Sequence, residues 1–456
     1  MNLFQIAWRS LRQRWLSSML TALSVALGVA LIVAVLVTYG LIAGMFTQVG
    51  TGYDLLIGPK GSDTQLVLSA IYRIERPIEN LPFRYYTDLK NDPRLDRVVP
   101  VLIGDTTEEG GFPIVGTTPE YFLLPYARRG DGTEEVFRSS GWMVSQWDAV
   151  VGSEVARANG WDIGSEFRMI HGGADAGPDA HVHDEVFTVR GVLEPTGTPN
   201  DRSAFINLRG FLAIANHTKP VDEAVARESD FYGEPPEETR ARYAEAIAAI
   251  EEAEAAGGFY HGTMPDLQKE VTAVLATMKR RSKRASAQAM AALQFKNELQ
   301  EGFKAQAVNP VTVMSRLMNT LVGNIRDAML ALTVFIVLVA GNGIFVSVYN
   351  SMADRRREIG VMRALGARRE TMFGVILSET FLLCLGGGLA GLVLGHGLVV
   401  LGAPILRERT GLTIDPWHFE PAELAVFPLL MLLALLVGLL PGVTAYRTDV
   451  ANALSE

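Results

Sequence analysis

Three of the seven histidines fall in one short stretch, HGGADAGPDAHVHDE from His171 to Glu185, in the company of Asp175, Asp179, Asp184 and Glu185. Side chains two apart on an extended strand share a face, so His181 and His183 would project together. Imidazole with carboxylate is the donor set of zinc and similar metals, which makes His171, His181, His183 and Asp184 the candidate ligands. The same stretch is rich in Gly and Asp and reads equally as a solvated loop, so no metal is assigned on sequence alone. No catalytic constellation emerges. Ser, His and Asp occur without a nucleophile elbow, a His-Glu-x-x-His pattern or paired-cysteine spacing. The single cysteine, Cys384, lies in an apolar run, which leaves the polar part of the chain without disulfides or thiolate metal sites. Gly58-Pro59-Lys60-Gly61-Ser62 has the composition of a phosphate-binding loop but not its spacing, so no such loop and no bound cofactor is expected in this chain.

The second chemistry-bearing stretch is basic. In SMADRRREIGVMRALGARRE, residues Arg355, Arg356, Arg357, Arg363, Arg368 and Arg369 outnumber Asp354, Glu358 and Glu370. Ile359, Met362 and Leu365 recur at three-residue spacing, an apolar stripe on a short charged helix that Gly366 would cap. Such a pattern fits a membrane-skimming connector and also a docking helix, with a small apolar ridge and arginines for an acidic rim.

What positions this stretch is apolar on both sides. The runs 328–350 and 371–402 each exceed the roughly twenty residues that a bilayer crossing takes. The arginine excess between them places 351–370 in the cytoplasm. At the N-terminus Leu3, Phe4, Ala7, Trp8, Leu11 and Trp15 line one face and Arg9, Arg12 and Arg14 largely another, so 1–18 reads as an amphipathic helix on the inner membrane surface. A first membrane helix follows over 19–46 and a fourth over 422–446, with an external loop at 403–421 and a cytoplasmic tail at 447–456. Gly387, Gly391 and Gly395 in the third helix have the four-residue spacing that lets helices approach closely, within one subunit or at a seam between two.

Residues 47–327 are too polar to span a membrane. Segments such as YDLLIG, RVVPVLIG, FPIVGT, AVVGSEV, EFRMI, VFTVRGVL and SAFINL predict strands, with a helix near Glu154 to Asn159, in an α+β domain over 47–220. From 221 to 307, Ala, Leu and Met at helical spacing predict two helices, Glu237 to Ala256 and Met264 to Gln306, as a helical insertion. A stalk over 308–327 leads back to the membrane. The basic run Lys279, Arg280, Arg281, Lys283, Arg284 is read as a solvated face, with a site for an acidic partner or lipid head groups as the alternative. With 48% hydrophobic and 20% charged residues the chain is part membrane, part wet, and its net charge of -9 argues against nucleic acid.

The run RRREIGVMRALGARRETMFGVILSETFLL, with GGGLAGLVLG after it and GLLPGVTAYRTDVANAL at the end, resembles the permease domain of the FtsX/MacB family of ABC transporters. Pro441, Ala445 and Arg447 match the family's C-terminal pattern. AVVGSEVARANGWDIGSEFRMI and EVFTVRGVLEPTGTPNDRSAFINL are similar to the MacB-like periplasmic core domain; the insertion after it departs from the compact family core. The resemblance implies a type VII permease in the bacterial inner membrane with both termini cytoplasmic and the large domain periplasmic. It implies that Arg355, Arg356, Arg357, Glu358, Ile359, Gly360, Met362, Arg363, Ala364, Leu365 and Gly366 receive force from a separate ATPase, present in two copies and holding the ATP and Mg. A second permease copy or a paralogue completes the assembly, with a periplasmic adaptor, lipoprotein or binding protein as further partners and lipids around it. The function expected is ATP-driven export or extraction of a lipid-, lipoprotein- or peptide-like cargo by a non-catalytic subunit. An FtsX-like scaffold that switches a cell-wall enzyme, and zinc handling through the histidines, stand beside it.

Overall fold

The computed structural model describes residues 3–48, 53–123, 137–139, 143–171, 181–214, 219–255, 264–279, 285–302, 304–354, 361–362, 364, 366–410, 419 and 421–447 of the 456. The chain divides into two units, one of Met1–Ala43 with Met318–Glu456 and the other of Gly44–Leu317.

The first unit is helical. After the amphipathic helix Leu3–Gln13 come four long helices, Trp15–Gln48, Gly323–Asp354, Arg369–Thr410 and Val426–Arg447. Each contains a stretch long and apolar enough to cross a membrane. Their shared core includes Val25, Val29, Val33, Ile344, Ile376, Cys384, Leu430 and Ala434. Leu332, Phe335, Leu338, Val393 and Leu436 remain exposed. A helix apolar on all sides with one side uncovered is what lipid contact requires. Ala7 and Ser10 of the amphipathic helix are buried, while Phe4 and Trp8 are exposed.

The second unit is built on strands. Twelve are described: β1 Leu55–Pro59, β2 Leu81–Pro82, β3 Leu95–Thr107, β4 Pro113–Thr117, β5 Phe137–Ser139, β6 Asp148–Val151, β7 Glu166–His171, β8 His181–Leu193, β9 Ala204–Asn207, β10 Glu270–Val271, β11 Ala273–Met278 and β12 Ala305–Val308. The main sheet runs β12-β1-β11-β3-β4-β9-β6-β8-β5, and β7 pairs with both β3 and β8. That double pairing closes β3, β4, β9, β6, β8 and β7 into a ring. Ile114, Ala149, Phe167, Met169, Phe187, Val189 and Ile206 belong to its core. The strands expected from these segments are all present, and Ser153–Asn159 is helical, stopped by Gly160 at φ 68°. Within GSDTQ, the Ser62 side chain accepts from the Gln65 N–H at the head of the helix Asp63–Ala70.

The helical insertion expected over 221–307 is corrected. Val221–Tyr232, Pro236–Arg242, Ala244–Ala255 and Ala285–Glu301 are helices, but β10, β11 and β12 fall in the same range. Strand β11 sits between β1 and β3 in the middle of the sheet. Its residues Ala273, Val274, Leu275 and Ala276 are buried, so they form a continuous apolar run, which periodicity cannot separate from a buried helix. The insertion is therefore part of the domain core. It is also pinned to it: Arg84 reaches Glu228 at 3.3 Å and Glu234 at 3.0 Å while lying 3.9 Å over the Tyr232 ring, and Arg227 donates to the Asn80 carbonyl at 2.6 Å.

A second clip holds the PTGTPND turn. Asp201 accepts from the Thr196 N–H and Oγ1 and the Gly197 N–H, each at 2.8 Å. Arg73, at φ 57°, donates to Ser203 Oγ at 2.9 Å and to Tyr121 Oη and Asn200 Oδ1 at 3.0 Å. A non-glycine residue at positive φ is strained, and the three hydrogen bonds are what hold it there.

Candidate functional site

The basic stretch is described only at its end. Arg355, Arg356, Arg357, Glu358, Ile359, Gly360, Arg363 and Leu365 lie outside the described residues; Val361, Met362 and Ala364 are helical. Gly366 takes φ 99°, and the Ala367 N–H donates to the Met362 carbonyl at 3.0 Å. That pairing, with a glycine in the left-handed region, is a Schellman cap, the termination that the sequence pattern asks for at this glycine. Met362 and Ala367 both pack on the core of the helical unit, so the end of the basic helix is anchored to the bundle. The third long helix starts directly afterwards, with Arg369 5.8 Å over the Tyr446 ring and Phe373 against Gly442.

The three spaced glycines face the first long helix. A Cβ on Gly387 would lie 2.8 Å from the Ala22 carbonyl oxygen, on Gly391 2.6 Å from that of Ala26, and on Gly395 2.9 Å from that of Ala30. Each would also meet Val25, Val29 or Val33, one valine per glycine. Only a residue without Cβ permits this approach. Further along, His396 Nε2 lies 2.9 Å from Glu423 Oε2, with Phe419 stacked on the imidazole; Glu423 is fully buried. Buried ionisable groups in such helices are costly unless paired, and here each supplies the other's partner. Glu379 is also buried. The sequence reading missed the His396–Glu423 pair, although a histidine in an apolar run was its signal.

In the sheet unit the histidines converge with a residue that sequence alone did not single out. Register does this. Asp105 of β3 is opposite His171 of β7, and His171 is opposite His181 of β8. Directly paired residues point to one face, and His183 follows His181 by two, so all four share that face. Asp105 and His183 are buried at 2% and 3% exposure, whereas the His171 side chain is 59% exposed. His171 Nδ1 is 2.8 Å from Asp105 Oδ1, and His183 Nε2 is 4.0 Å from Asp105 Oδ2. One donor atom from each of Asp105, His171 and His183 lies within 4.8 Å of the others. His181 stands beside them, its ring 5.5 Å from that of His183, but exposed and outside the cluster; Asp184 is exposed too, on the opposite parity of β8. Of the candidates His171, His181, His183 and Asp184, the structure brings His171 and His183 together with Asp105 and leaves His181 and Asp184 outside that cluster. Asp175 and Asp179 lie outside the described residues.

Comparison with known proteins fits this architecture. Residues 18–256 match the MacB-like periplasmic core domain, and residues 330–450 match the FtsX-like permease C-terminal domain. A macrolide export ATP-binding/permease protein MacB of Rhodopirellula baltica is 29% identical over 150 residues, covering 33% of this chain and 21% of that protein. One from Shewanella sp. (strain W3-18-1) is 32% identical over 126 residues, 28% of this chain and 19% of that protein. The matched stretch thus spans about a fifth of the length of these curated relatives. The crystal structure of the periplasmic region of MacB from Actinobacillus actinomycetemcomitans superposes with a TM-score of 0.32 at 12% identity, covering 59% of this chain and 95% of that one. With the core-domain match alone covering more than half of the residues, the chain belongs to the MacB-like, FtsX-type family of ABC transporter permeases.

Proposed function

We propose that this chain is the permease subunit of an ATP-driven transporter in the inner membrane, and that it converts ATP hydrolysis by a separate ATPase into movement of its periplasmic domain. The observation that carries this is the placement of the arginine-rich segment 351–370 between two candidate membrane spans, inside the stretch matching the FtsX-like permease C-terminal domain. Arginine on that side supports a cytoplasmic loop and cytoplasmic termini. A helix end capped at Gly366 and anchored through Met362 gives pressure on the loop a rigid path into the bundle.

The chain passes between the two units twice, at Ala43–Gly44 within the helix Trp15–Gln48 and at Leu317–Met318. At the second passage the helical geometry widens to a π turn over Met318–Val322, the kind of local irregularity that absorbs bending. Movement of the bundle would reach the external domain through these connections, so cargo need not pass through a polar pore. The family implies two ATPase copies with ATP and Mg and a second permease. The macrolide export named for the curated relatives supports an outward direction, with a lipid-, lipoprotein- or peptide-like cargo as our reading.

Co-purification tests the reading. The chain is expressed with an ATPase encoded beside it, and Arg356→Glu with Arg357→Glu is expected to release the ATPase or uncouple its hydrolysis from the permease. An intact complex with unaltered ATPase activity would remove the coupling role from this loop.

A further inference from the structure

We propose that Asp105, His171 and His183 bind a divalent first-row transition ion of the zinc class. The three come from three neighbouring strands, and β-sheet register, not loop geometry, brings them together. β7 is the strand that closes the ring, so its pairings to β3 and β8 fix both neighbours of His171 at once.

The donor set selects the metal. Two imidazole nitrogens and one carboxylate suit zinc and its neighbours, while magnesium and calcium take oxygen ligands almost exclusively. Spacing agrees. Tetrahedral zinc with bonds of about 2.0–2.1 Å sets its ligand atoms roughly 3.3 Å apart. His171 faces Asp105 Oδ1 at 2.8 Å and His183 faces Asp105 Oδ2 at 4.0 Å, and one donor atom from each of the three residues lies within 4.8 Å of the others, a spread that one ion can draw together. Asp105 is a buried carboxylate flanked by two imidazoles, and a dication between them would offset its charge.

Burial is graded across the site. Asp105 and His183 form its inner side, and His171 is largely exposed, so an ion enters from solvent and keeps a coordination position open toward it. A closed structural site would have four protein ligands; three with an open position leaves room for water, for His181 at the rim, or for a group on a partner. This site stands independently of the coupling proposal, since it uses no residue of the helical unit.

The test is metal retention by the full chain in detergent after chelator treatment. With zinc chloride added and excess removed, about one zinc per chain is expected, with a raised Tm that magnesium or calcium chloride does not reproduce. Cobalt(II) in place of zinc should give the intense visible absorption of a four-coordinate nitrogen and oxygen site. His171→Ala is the decisive variant, because its exposed side chain can be removed without disturbing the core, and it should weaken zinc binding at least tenfold. His183→Ala and Asp105→Asn should abolish it, with folding checked by circular dichroism, while His181→Ala keeps the stoichiometry. Zinc retained equally by His171→Ala and the parent chain, or no zinc retained by the parent, would overturn the assignment.

Discussion

A Cβ placed on Gly391 would lie 2.6 Å from the carbonyl oxygen of Ala26, closer than side-chain carbons come to any backbone oxygen. The third and first long helices are therefore in backbone contact, and Gly391→Val must push them apart. Overpacking of this kind costs about 1–3 kcal/mol. The variant should lower the Tm of the detergent-solubilised protein, whereas Gly397→Ala, with open space around it, should leave it unchanged.

Gly366 sits at φ 99°, where an L-residue is strained. Gly366→Ala should cost about 1–2 kcal/mol at the end of the basic helix. Limited trypsin digestion should show faster cleavage at Arg368, and any ATPase coupled through this segment should lose stimulation while the rest of the bundle keeps its Tm.

Arg73 ties Ser203, Tyr121 and Asn200 together across the PTGTPND turn. Arg73→Ala removes three charge-assisted hydrogen bonds and leaves buried polar atoms behind, a loss of about 2 kcal/mol or more. Arg73→Lys should not rescue it, because an ammonium cannot span the same three acceptors in a plane. Urea denaturation followed through the external domain reads both.

Hydrogen bonds from Arg84 and then Arg242 hold the Glu234 carboxyl down at about 2, against an ordinary 4.5. A depressed folded-state value means that the stabilisation is complete above the ordinary carboxylate range and is lost as pH falls from about 4.5 toward about 2. Glu234→Gln should flatten that part of the acid-unfolding curve and leave stability at higher pH nearly pH-independent in the same way as the parent. A parent curve that is already flat there would contradict the pairing of Glu234 with Arg84 and Arg242.

The helical unit was largely legible in the sequence, because uninterrupted apolar runs and small residues at four-residue spacing act locally. Gly366 was legible for the same reason: a cap is written within six residues. The strands of the first half followed from short β-type runs broken by Gly, Pro and Asp. Strand β11 did not, since an apolar run with Ala and Met fits a helix as well as a buried strand, and only its pairing with β1 and β3 decides. His171 and His183 stood out by their own clustering. Asp105 did not: it lies 66 residues from His171 in an ordinary strand, and only register makes them neighbours.

Strand β1, the first after the chain enters the external domain, is paired antiparallel to β12, the last before it leaves, with Leu56 opposite Val308, and the Asn309 side chain donates to the Asp54 carbonyl at 3.3 Å. The way in and the way out are zipped along one sheet margin. A pull applied to either limb would be shared by the other before it reached the interior, loading the ladder of hydrogen bonds in shear, where a singly tethered domain would unravel from its end.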